Sequence, residues 1–469
     1  ARGFQIKLVK PLLHDHYNHI MRLLRAGLLF LTIVFSAAAG DVPWDGEGMT
    51  APENLPDPRW DNEDNWAGDT FPGTGDRALL LPPINTAFVH LVLQHTEVGS
   101  IDCRVPFKLD TKLILNGPSE LTDALLPDGE GSIRSSSSVV LKGVNNARRV
   151  GFEGTGTFEN RGTLLLEGDV ASARLINNGP CFVLDYGTVR LNAFLNNNAF
   201  SITEGATVGS SSAVTNRGSF SMGAANGGTS FMMGSLFQES GIITVPADAL
   251  ASIVAGTQHY TGGGISVGAG AELLLSYSGG VVNGREFNGM PAITGTGNIN
   301  QRASYTVKQS MTLSVDSPGR YSADDLDIAA GAVLTNSKQL ELPGGANLSG
   351  AGLLYNTGTM LATNNPTLNV MIENAGTWNV GSFRVGTQII ANTGRINLKG
   401  NNLKIGRSGT NPGPLINDDG GTIRVDNGAL TYTIEAPFEQ LDEGLTEVVS
   451  GTLRFQGLDS IRLGGRFTA

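Results

Sequence analysis

Cysteine is almost missing, with Cys103 and Cys181 the only two in 469 residues. That excludes a disulfide-stapled scaffold and a zinc centre built from thiolates. It leaves two buried thiols in a β core, or a single disulfide, as the readings open. Basic residues are scarce as well: 32 Lys and Arg stand against 43 Asp and Glu, a formal charge of −11. Nucleic-acid phosphates require a basic footprint, so this balance argues against DNA or RNA as a partner. No long stretch carries a helical period bounded by caps. Beyond the first forty residues no apolar run reaches the twenty or so residues that a membrane span requires, so no such span is expected there.

What is abundant is glycine, at 63 residues, in a chain that is still 40 % hydrophobic. Many short β-strands joined by Gly- and Asn-rich turns give this composition. The first forty residues stand apart. Met21-Arg22-Leu23-Leu24-Arg25 precedes the apolar run 26–35 and then Ser36-Ala37-Ala38-Ala39. A basic start, a short apolar run and a small-residue site make a secretory signal peptide over 21–39, with the mature chain starting near Gly40. Residues 1–20 then read as upstream sequence, and their His14, His16 and His19 are set aside because they precede the export signal. Without this segment the chain keeps 27 basic against 42 acidic residues, about −15.

Internal repeats are the strongest signal. An Asn-x-Gly turn flanked by apolar alternation recurs at Asn160, Asn216, Asn356, Asn374 and Asn392, with looser copies at 175–184, 237–245 and 416–425. Asn356, Asn374 and Asn392 are spaced 18 and 18 residues apart. A longer composite occurs twice: Phe152-x-Gly154-x-Gly156-x-Phe158-x-Asn160-x-Gly162-x-Leu164 matches the run from Leu348 through Gly350, Gly352, Leu354, Asn356 and Gly358 to Met360. A second unit with a Gly-Ala or Gly-Gly-Ala turn starts at Phe200, Ile265, Leu326 and Leu340. Period-two alternation means strands with one buried face. Gly and Asn tolerate the left-handed backbone of a sharp corner. Coils of about 18–25 residues, stacked at the strand spacing of about 4.8 Å, bury that face continuously. The expectation is therefore an all-β, right-handed single-stranded parallel β-helix of roughly 17–20 coils, with stacked Asn side chains at its corners.

Ahead of the repeats lies a denser run, Trp60-Asp61-Asn62-x-x-Asn65-Trp66-x-Gly68-x-x-x-Pro72-Gly73-x-Gly75-Asp76-x-Ala78-x-Leu80. Trp60 and Trp66 are apolar plates able to cover the open first coil, which otherwise exposes both core and strand edge. This run resembles the N-terminal segment of bacterial autotransporter passenger-type repeat proteins, and is similar to the G8 domain of eukaryotic surface β-helix proteins. The match covers about residues 58–117. It implies a right-handed β-helix at a cell surface, in families that include adhesins, matrix-like receptors and some glycan-degrading members.

The sequence places no catalytic set. His90, His95 and His259 are not at metal-ligand spacing, and His259-Tyr260 reads as a surface pair. Asp324, Asp325 and Asp327 read as a solvated turn, with calcium coordination as the alternative; no other cofactor is indicated. Asp418-Asp419 reads the same way, and Asn347-Leu348-Ser349 is a glycosylation sequon if the source is eukaryotic. The domain expectation is an upstream segment 1–20, a signal peptide 21–39, a linker and cap 40–76, and a β-helix 77–469 truncated at its C terminus. The functional expectation is a secreted or cell-surface module, a non-enzymatic adhesin, matrix or spacer whose partner is an extracellular glycan or protein surface. An extracellular polysaccharide lyase or glycoside hydrolase on the same fold is the alternative. Acidic or basic residues converging from adjacent coils into one groove would favour the enzyme.

Overall fold

The computed structural model describes residues 40–469 apart from 51–54, 85, 93–94, 127–129, 169, 185–187, 204, 224–228, 255, 277–284, 400–403 and 457–460. The signal-peptide and upstream expectations fall on 1–39 and lie outside the described residues. The chain forms a β-solenoid of about 18 turns. Helix among the described residues is confined to one short turn, Glu63–Asn65. No helix there is long and apolar enough to cross a membrane.

Each turn supplies three strands, and each strand pairs in parallel with its counterpart one turn later. The first row is set up by Arg77–Leu80 on Ser100–Cys103. The second begins with Val89–Leu91 on Phe107–Leu109, and the third with Thr96–Val98 on Lys112–Leu115. Some strands bend and serve two rows. Gly151–Asn160 pairs through residues 151–154 with Ser132–Ser135 and through residues 157–160 with Ser138–Leu141. Such bends help link 45 strands into one hydrogen-bonded sheet wrapped around the core. Turn length varies, from 17 residues between Asn160 and Asn177 to 29 between Lys404 and Thr433. The variable part lies in the loops, because register within each row must be kept for the buried face to stay buried.

The core is a column of inward side chains. The pairs flanking the Asn-x-Gly turns, Phe158 and Leu164, Leu354 and Met360, Ile372 and Trp378, are all buried. Aromatic rings stack within and between turns, as in Phe194, Phe200 and Phe220, whose centroids lie 4.6 and 5.2 Å apart. Cys103 and Cys181 are both free and buried, so of the two readings the thiols stand. Burial pushes the Cys103 thiol up to about 12 and raises that of Cys181 further.

Two amide ladders run through the solenoid, at different corners. Asn160, Asn177, Asn196 and Asn216 close successive strands of the first row. Each Nδ2 donates to the next Oδ1, at 2.7, 2.8 and 2.6 Å, and Asn216 donates to Gln238 Oε1 at 2.7 Å. Further along the chain, Asn336, Asn356, Asn374, Asn392 and Asn417 close strands of the second row, joined by bonds of 2.6, 2.5, 2.6 and 2.8 Å. Between the two runs the first-row column passes through Tyr260, Phe287, Val307 and Ile328. The composite motif shifts in the same way. Gly154 sits where the third row bends into the first, whereas Gly350 sits where the first leads into the second. Both have positive φ, 96° and 116°, and a Cβ on either would collide with a carbonyl of the preceding turn, Ser135 or Ile328.

At the N-terminal end Trp60 and Trp66 are buried, with ring centroids 4.6 Å apart, and Trp60 lies 5.9 Å from Phe107 of the second row. Trp66 Nε1 donates to the Trp60 carbonyl at 2.9 Å. Trp44, which the sequence pattern did not single out, joins them edge-on at 5.2 Å from Trp66. In the same N-terminal segment the buried Asp57 accepts from Arg59 Nε and Nη2 and from Asn62 Nδ2.

Candidate functional site: a polar cleft on the first row

Alternation decides which side chains face outward. In the strand Gln258–Tyr260 it turns Gln258 and Tyr260 inward and His259 outward. The surface pair expected from the sequence is thus split: Tyr260 is fully buried and only His259 reaches solvent. In register with His259 stand Phe237 on the preceding turn and Glu286, Thr306, Asp327 and Ser349 on the following ones. These outward positions form a rail along the solenoid axis. A cleft opens beside it, lined among others by Glu286, Ser304, Lys308, Asp325, Asp327 and Asn347.

The groups on the rail are tied together across turns. The His259 ring stacks on Phe237 at 5.2 Å with 13° between planes. His259 Nδ1 lies 2.7 Å from Glu286 Oε1, and Lys308 Nζ pairs with Glu286 Oε2. Burial alone would raise the Glu286 carboxyl, but Lys308 and His259 outweigh it and hold that carboxyl below its ordinary value. Glu286 therefore stays ionised near neutrality. Asp325 accepts from Ser304 Oγ at 3.0 Å and from the Asn347 backbone at 3.2 Å. Asp327 accepts through Oδ1 from Ser349 Oγ at 3.0 Å.

The floor of the cleft is built from inside. Arg285 is buried, with Nε donating to the Ser304 carbonyl at 3.2 Å and Nη1 to that of Gly256 at 3.3 Å. Tyr305 OH donates to Gln258 Oε1 at 2.5 Å, and Tyr260 OH donates to the same oxygen at 3.0 Å. Burial raises the phenols of both tyrosines, so neither ionises near neutrality. This polar core fills the stretch between the two amide ladders.

The three aspartates singled out in the sequence separate. Asp325 and Asp327 both line the cleft, on outward positions of one strand. Asp324 lies at the bend before them, and burial raises its carboxyl against the pull of Arg302. Among the described residues no three His, Cys, Asp or Glu side chains are grouped to hold a metal ion. The sequon spans the cleft wall, with Asn347 and Ser349 outward and Leu348 buried. One Gly-x-Ser-x-Gly pentapeptide, Gly264 to Gly268, carries Ser266 on the outer face of a second-row strand. No helix follows it, so the strained strand-to-helix elbow that exposes a serine nucleophile is missing there.

Sequence reasoning missed Glu286, Lys308 and Thr306 because no local motif marks them. Only the register brings them beside Asp327, and register emerges once turn lengths are known. The fold and this cleft define a β-solenoid carrying an axial polar cleft on one face. Comparison with family models, with curated proteins and with solved structures found no match.

Proposed function

We propose that the protein is a secreted or cell-surface β-solenoid that holds an extracellular glycan or protein partner without transforming it, acting as an adhesin, matrix or spacer module. The observation carrying this reading is the state of the acids in the cleft. Asp325, Asp327 and Glu286 each accept hydrogen bonds or ion pairs from neighbouring turns. A general acid for glycoside cleavage needs a raised carboxyl pKa, and Glu286 is shifted the other way. Such an arrangement suits a preformed binding surface. Its test is incubation of the purified protein with intact cell-surface material and with a set of polysaccharides. Retention on the surface material, with no new reducing ends or unsaturated products, is the expected result. Turnover, or failure to be retained, would overturn it.

The second reading, a polysaccharide lyase or glycoside hydrolase, is favoured by one observation. Acidic and basic side chains from three successive turns, Glu286, Lys308 and the pair Asp325 and Asp327, do meet in one cleft. If turnover is found, Glu286→Gln and Asp327→Asn should each lower it by at least about a hundredfold, the usual scale of a lost acid or base.

A further inference from the structure

We infer that the ligand of this cleft is an uncharged polysaccharide chain lying along the solenoid axis, an inference that rests on the surface-binding reading above and names the chemistry it would recognise. The rail runs over six successive turns from Phe237 to Ser349. Five strand spacings separate its ends, roughly 24 Å. That is a track for a linear chain rather than a pocket for a single small molecule.

Its two ends offer the two things a sugar ring needs. At one end Phe237 and His259, stacked on each other, present a partly exposed apolar surface. The C–H face of a pyranose packs on such a surface as any apolar face does. At the other end stand hydrogen-bonding groups in register: Thr306, Asp327 and Ser349, with Ser304 and Asn347 beside them. Asp327 is exposed and accepts from Ser349 through Oδ1, which leaves its second oxygen as an acceptor for a hydroxyl. A carboxylate accepting from a neutral donor makes one of the stronger hydrogen bonds available.

Charge decides between classes of glycan. Lys308 is held by Glu286, and the Arg285 guanidinium turns inward to main-chain carbonyls. Asp325 and Asp327 remain as the acceptors facing the cleft. An acidic sugar would bring a carboxylate against these two, while the lysine lining the cleft is already paired with Glu286, and like charges in close contact are unfavourable. A hydroxyl-rich neutral chain meets no such penalty.

The experiment is affinity electrophoresis of the purified chain in native gels containing mixed-linkage β-glucan, xylan, galactomannan or, separately, polygalacturonate. At least one neutral glycan should retard the protein and polygalacturonate should not. Phe237→Ala and Asp327→Ala should each weaken retardation about tenfold in Kd, equivalent to 1.4 kcal/mol. Both side chains point outward, and a matching thermal melt verifies that each variant is folded. Ser221→Asp, on the outer face of the second row, should leave retardation unchanged. The inference is overturned if none of the three neutral glycans retards the wild type, if polygalacturonate does so equally, or if both folded rail variants behave as wild type. A protein that fails here but is retained on intact surface material loses this inference and keeps the proposed function. Failure of both removes both.

Discussion

At the scale of single residues, the buried amides carry the specificity of the solenoid interior. An Asn side chain has both a donor and an acceptor, so a stack of them satisfies itself along the axis where water does not reach. Asn374 accepts from Asn356 and donates to Asn392. Replacing Asn374 with Ala breaks both bonds, and the expected cost is about 1–3 kcal/mol, read from chemical denaturation. Asp57 gives a residue-scale prediction in pH. Burial raises its carboxyl, yet the Arg59 pair and Asn62 more than reverse this, so the folded value lies below the ordinary one. The stability it contributes is full above the unfolded value of about 3.9 and is lost as pH falls through the lowered folded value. Asp57→Asn should therefore be less stable than the wild type at neutral pH, with the gap closing in an acid titration below about pH 4. At this scale the sequence was partly legible. The regular spacing of Asn356, Asn374 and Asn392 marked them as a set, whereas Asn336 and Asn417 extend the same ladder at separations of 20 and 25 residues. His259 and Tyr260 show a simpler lapse: adjacency in sequence suggested a shared environment, and strand alternation gives them opposite ones.

At the scale of elements, the recurring piece is a corner and not a whole coil. The Gly-Ala unit starting at Phe200 leads from the second row to the third, the one at Leu326 from the first to the second, and the one at Leu340 from the third to the first. Local chemistry makes a corner wherever strand, glycine turn and strand follow one another; nothing in those few residues says which corner it is. This is why strands and turns were legible from the sequence while the placement of the cleft was not. Among the described residues the N-terminal cluster of Trp44, Trp60 and Trp66 does not repeat. Trp60 and Trp66 are fully buried against each other and near Phe107. Replacing both with Ala should lower stability by several kcal/mol, since truncating a packed Trp costs about 3–5 each. A double variant melting at the wild-type temperature would show that the cluster does not secure the first turns.

At the scale of the whole molecule, each turn touches chiefly its two neighbours, so size adds length and not girth. About 18 turns at the strand spacing make a rod of roughly 85 Å. A compact chain of this length would have a radius of gyration near 23 Å. Small-angle scattering of the protein in solution should give a larger value and a maximum dimension of at least about 85 Å; a compact profile would contradict the rod. The interchangeable corner has a consequence for inheritance. A duplication that copies a full coil lengthens the rod and leaves every row of outward side chains aligned. A duplication that copies one corner rotates everything downstream by a third of a turn. Placed between Phe237 and Asp327, such an event would leave the strands on either side intact while aiming the two halves of the rail at different sides of the rod.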